Sequence, residues 1–108
     1  MKVERYMTKG IEEKIPESLQ LQLWELQSNL KVEFEKLGKT IDYLQVYELK
    51  ILEKNDERIQ VIIHRSEKPK YEKIYYIESE ELVVAKIYII QDDYGDVLVE
   101  TILLSEEY

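Results

Sequence analysis

The chain has 108 residues and a formal net charge of −8, with 44% hydrophobic residues, three glycines, two prolines and no cysteine. That length suits a single domain, residues 1–108, that buries roughly two thirds of its unfolded surface and needs no metal or disulfide to fold. Lack of cysteine excludes a disulfide framework, a thiolate zinc site and a cysteine nucleophile, while the acidic balance repels phosphate backbones and makes nucleic acid an unexpected partner.

The opening MKVERYMTKG places Glu4, Arg5 and Lys9 across any apolar run, so it reads neither as a signal peptide nor as a membrane anchor. The mature protein is expected to be the whole chain, in a reducing cytoplasmic setting with no membrane partner. VERYMTK has the pattern of an edge strand.

PESLQLQLWELQ then admits two periods. Leu19, Leu21 and Leu23 alternate as in a strand, whereas Leu19, Leu23 and Leu26 recur at the spacing of one helix face. Length decides, because Leu30, Phe34 and Leu37 continue the second pattern over five turns. The spacing predicts a helix from Pro16 to Leu37, about 33 Å long, with Glu17 complementing its N-terminal dipole and Gly38 stopping it. All six stripe residues are predicted core. Leu21, Trp24 and Val32 fall on the far flank and form a second, smaller apolar patch.

Beyond Gly38 the period becomes two. IDYLQVYELKILEK, RIQVIIHRS, YEKIYYIE, VVAKIYIIQ and DVLVETILL read as five strands, separated by breaks short enough for antiparallel hairpins, so a meander is expected. In the first of these, Leu44 and Val46 share one parity and Leu49 and Ile51 the other, which predicts a bulge near Tyr47 or burial of both faces there. The fold class is α+β, one long amphipathic helix packed on a mainly antiparallel sheet of five to six strands, with the other sheet face less well covered.

RYMTKGI, IPESLQLQLWEL, DYLQVYEL, IIHRSEKPKYEK, AKIYII and the closing SEEY together resemble a small family of Gram-positive bacterial and prophage proteins catalogued only as a domain of unknown function. The resemblance covers nearly the whole chain. It implies a compact α+β domain in the cytoplasm of such a bacterium, and no activity, cofactor or catalytic residue.

Little in the sequence assembles chemistry. His64 is the single histidine, too few for a zinc site, and Ser66 lacks the strained elbow of a triad serine, so His64 reads as a half-buried strand residue. Around it Arg65, Lys68, Lys70 and Lys73, with Tyr71 and Tyr75, form one basic island, diluted by Glu67 and Glu72. A charged hairpin edge explains it better than a phosphate site. QDDYGDVLVE offers Asp92, Asp93, Asp96 and Glu100, but its spacing fails the calcium-loop pattern, and a hairpin turn with Gly95 at positive φ is expected. Nine tyrosines suit a sheet, most of them half-buried. No catalytic, cofactor or metal residue emerges, and no cofactor is expected.

The composition therefore points to a non-catalytic interaction module that binds an unknown protein partner or forms a homo-oligomer. Its surfaces would be the incompletely covered sheet face, the helix flank of Leu21, Trp24 and Val32, or both. The alternative is an acidic phage-type inhibitor that mimics nucleic acid and occupies a basic protein groove.

Overall fold

A computed structural model describes residues 2–108. In chain order the elements are β1 (Lys2–Met7), α1 (Lys9–Lys14), α2 (Glu17–Lys36), β2 (Leu44–Lys54), β3 (Glu57–Glu67), β4 (Lys70–Ile77), β5 (Ala85–Asp93) and β6 (Val97–Leu104), closed by a 3-10 turn at Ser105–Glu107. The α+β class holds, with one long helix and a six-stranded sheet.

Leu19, Leu23, Leu26, Leu30 and Phe34 are buried along α2, one residue per turn of a single face. Pro16 is its N-cap, outside the helix, and its carbonyl accepts from Leu19 and Gln20 at 3.0 Å each. The C-terminus is a Schellman motif: Gly38 at φ +67° donates to Glu35 O and Lys39 donates to Phe34 O. Leu37, expected in the core, is instead 61% exposed. It caps the helix after the last residue over the sheet, so the stripe ends at Phe34.

The short α1 has no sequence counterpart, because a turn and a half around one buried residue, Ile11, leaves no repeat to detect. It starts where Thr8 Oγ1 accepts from Ile11 N.

Strand order is β1-β6-β5-β2-β3-β4. VERYMTK supplies the edge strand β1, which runs parallel to β6 while every other pair is antiparallel. The expected meander is only partly present. β2, β3 and β4 follow one another through tight turns, the first a two-residue turn with Asn55 and Asp56 both at positive φ. β5, however, crosses back to pair with β2 on the side away from β3. Gln60 holds this crossover: its amide accepts from Val83 N at 2.7 Å and donates to Val83 O at 3.0 Å, imitating a strand neighbour in a buried position. The sequence shows only a polar break at Glu78 to Glu81, which a hairpin would also give.

β2 pairs with β3 and β5 in unbroken register through Tyr47, so there is no bulge. Tyr47 and Leu49 face α2 and are fully buried, while Leu44 and Val46 lie half-buried on the opposite face. The parity switch records two apolar faces. α1, α2 and the crossover all pack on one of them, around Ile11, Leu23, Tyr47, Ile62, Ile87 and Ile102. Beyond Leu49 and Gln60 the ends of β2 and β3 project as a two-stranded hairpin without further neighbours.

Candidate functional site

A cleft of about 650 Å³ opens at the corner where β1 leads into α1 and α1 into α2. Met7, Ile15, Leu21 and Trp24 give its apolar wall, and Glu12, Glu13, Glu17 and Glu81 ring it, with Lys14 the one cation among the described lining residues. The corner is fixed by Gln20, whose buried amide donates at 2.8 Å to Ile15 O, a carbonyl that the end of α1 leaves free, and at 3.4 Å to Ile11 O, which it shares with Ile15 N. Lys14 is drawn aside by Glu106 at 3.8 Å.

Leu21 stands 62% exposed on the wall of this cleft. Trp24 folds over the core edge as flanking aromatics do: it packs on the main cluster, and the Arg5 guanidinium covers its ring at 4.7 Å. Val32 is 51% exposed on the same side of α2 but sits beside a separate shallow groove with Asn29, Glu33, Lys36 and Leu37. Eleven residues of helix, about 16 Å, separate it from Leu21. The structure thus unites Leu21 and Trp24 in one cavity and leaves Val32 outside it.

Beneath α2 lies a polar seam that sequence reasoning missed. Glu100, fully buried on β6, accepts from Arg5 Nε at 3.2 Å, Lys31 Nζ at 3.3 Å and Gln27 Nε2 at 3.1 Å. Gln27 Oε1 in turn accepts from Tyr47 OH at 2.6 Å. Burial, with smaller contributions from Tyr75 and Glu100, raises the Tyr47 hydroxyl well above its ordinary range, so it remains a donor. The only advance signal was two glutamines, Gln20 and Gln27, beside the leucine stripe at helical spacing.

His64 is fully buried, not half-buried, and stacks on Tyr47 with ring centroids 4.1 Å apart. Gln45 donates to Asp42 O, which turns its carbonyl oxygen to His64 Nε2 at 2.7 Å and assigns the proton to that nitrogen. Desolvation lowers the imidazole pKa to about 4. Sealed from solvent and neutral, it packs as an aromatic with one polar edge. Ser66 Oγ and His64 Nδ1 meet no partner among the described residues.

The basic island is divided. Arg65 lies on the outer face, paired with Glu48 at 2.9 Å and Glu72 at 3.0 Å, while Lys73 faces the other way over the Tyr75 ring at 5.3 Å. Glu100 faces the core opposite Gln91, apart from the β5–β6 turn itself, where Asp93 accepts from Gly95 N at 2.8 Å and Gly95 takes φ +91°. No group of three or more His, Asp or Glu residues among the described residues is placed to hold a metal ion. The tyrosines differ from expectation: Tyr6, Tyr43, Tyr76, Tyr94 and Tyr108 are exposed, Tyr71, Tyr75 and Tyr88 half-buried, and Tyr47 alone is buried. Several sit at turns, ends or outer strands, where the sheet has nothing to lay over them. No helix among the described residues is long and apolar enough to cross a membrane.

No curated protein and no solved structure matches this chain. A family model does, over residues 4–107, the stretch that contains the corner cleft, α2 and all of the sheet beyond the start of β1. The chain belongs to the family described as "Staphylococcal protein of unknown function (DUF960)".

Proposed function

We propose that the protein is a non-catalytic cytoplasmic interaction module that recruits a protein partner through the α1–α2 corner cleft. The observation that carries this reading is Leu21, an exposed leucine that contributes nothing to the core yet lines a cleft of about 650 Å³ beside a tryptophan. Four carboxylates around that wall, against Lys14 and the Arg5 guanidinium over Trp24, favour a segment of opposite charge. The partner chemistry is a short amphipathic stretch with apolar anchors flanked by lysine or arginine. Val32 extends the same side of α2 for a longer partner.

The nucleic-acid mimic has less behind it. Mimicry calls for carboxylates in rows along one face, whereas Glu78, Glu80 and Glu81 lie at the start of β5 and Asp92, Asp93 and Asp96 at its end, about 30 Å away.

Trp24 is the only tryptophan and reports on the cleft directly. Titration with a synthetic leucine- and lysine-rich amphipathic peptide should change its emission saturably, weaken as salt rises, and vanish in Leu21→Glu. An unchanged spectrum, or equal binding by Leu21→Glu, would remove the reading.

A further inference from the structure

The face of the sheet turned away from α2 carries no helix among the described residues. Val46, Ile63, Ile74, Tyr76, Tyr88 and Ile90 all point to it, as the pairing register requires; Ile74 and Tyr76 on the edge strand β4 are 46% and 64% exposed and the other four are half-buried. From beyond the sheet Tyr108 meets it, edge-on to Tyr88 at 5.5 Å. The molecule is 20 Å thick in its shortest dimension, one helix on one sheet. A compact monomer of 13.0 kDa exposes about 6,300 Å² by the size scaling of globular proteins, whereas this chain exposes 7157 Å². The surplus of roughly 800 Å² belongs to the whole thin molecule, the projecting hairpin included, and is of the size that one partner contributes to an interface of standard size. Leu52 and Ile59, on the projecting β2–β3 hairpin, continue the same surface outward.

Charge says what fits there. On this face the cations Lys2, Lys50, Lys54, Arg65, Lys70 and Lys86 are matched in number by the carboxylates Glu4, Glu48, Glu57, Glu67, Glu72 and Asp92. The central ones neutralise each other within the molecule, Glu48 accepting from Arg65 and lying 3.8 Å from Lys50. The formal charge of −8 therefore resides elsewhere, chiefly on α2, the crossover, the β5–β6 turn and the C-terminal turn. Two copies that meet through any of those regions oppose like charges. Two copies that meet sheet to sheet oppose neutral, mixed-sign surfaces, so no net repulsion stands against a self-complementary two-fold contact there.

We propose that this face is the interface of a homodimer in which two sheets pack face to face, giving a four-layer assembly with α1 and α2 outermost. The aligned packing of twisted sheets is a common arrangement of such faces. The corner cleft stays open on each copy, so self-association and the recruitment proposed above are independent.

Sedimentation of the full chain across a concentration series tests it. The wild type should reach twice the 13.0 kDa chain mass, and its thermal midpoint should rise with concentration as a dimer's does. Ile74→Glu should raise the dissociation constant by at least about tenfold, with Ile63→Thr acting in the same direction as a milder change nearer the centre of the face. Far-UV circular dichroism of the dissociated variants should match the wild type, which separates a lost interface from a lost fold. Leu21→Glu, on the opposite side, should sediment as the wild type. A 13.0 kDa wild type throughout the series, or a dimer that Ile74→Glu and Ile63→Thr leave equally tight, would overturn the proposal.

Discussion

The hydroxyl of Tyr47 donates to Gln27 Oε1 at 2.6 Å, joining the middle strand of the sheet to the underside of α2 where both residues are fully buried. Water cannot replace either partner there. Tyr47→Phe keeps the ring on His64 and removes only the donor, leaving the Gln27 oxygen bare. The loss should cost about 1 to 3 kcal/mol, read as a lower urea midpoint at unchanged slope.

The helix stripe makes a paired prediction. Leu30, packed with Phe34 and Ile41, should cost about 2 to 5 kcal/mol when replaced by alanine. Leu37→Ala, at the exposed cap, should stay within about 0.5 kcal/mol of the wild type. Equal midpoints for the two variants would mean that the end of α2 is placed wrongly.

His64 makes stability depend on pH. Its folded pKa is lowered to about 4 by desolvation, while the unfolded chain binds the proton near 6.5. Between those values the unfolded state holds the extra proton. Stability is therefore intact at neutral pH and falls on acidification through that window, by about 3 kcal/mol if the imidazole stays buried. Urea titrations at pH 7 and pH 4.5 should show a smaller difference for His64→Phe than for the wild type.

Glu107 ties the two ends of the chain together. Its carboxylate accepts from Thr8 Oγ1 at 2.6 Å, Leu104 N at 2.9 Å and Gly10 N at 3.3 Å, and the Thr8 hydrogen bond leads the causes that lower its pKa. Because that pKa is depressed, the contribution is present at neutral pH and disappears as pH falls through the carboxylate range. A Cβ on Gly10 would stand 2.7 Å from the same carboxylate. Gly10→Ala should displace Glu107 and speed hydrogen exchange at the Leu104 amide without altering that of Ile87, deep in the sheet.

Much of this fold was legible because burial repeats. The leucines of α2 and the alternating strands expose their period to anyone counting, whereas the parity break at Tyr47, which predicts a bulge or burial of both faces, falls in an unbroken strand whose outer residues Leu44 and Val46 are only half-buried. What stayed hidden depends on single contacts without a period. The crossover rests on one buried amide, Gln60, and α1 on one cap and one isoleucine. Glu100 looked like one more acid of an aspartate-rich turn until Arg5 and Lys31, distant in sequence, were brought to it. The candidate site was half legible: Leu21 and Trp24 were marked by being off the stripe, whereas Met7, Ile15 and Glu81 reach the cleft only through the turn of α1 and the crossover.

Thermal unfolding separates a binding role for Leu21 from a folding one. Wild type and Leu21→Glu are melted with and without the leucine- and lysine-rich peptide. The account predicts coincident midpoints in its absence and, in its presence, a rise for the wild type alone, since a ligand stabilises only the state it binds. A lower midpoint for Leu21→Glu without peptide, or the same rise in both, would contradict it.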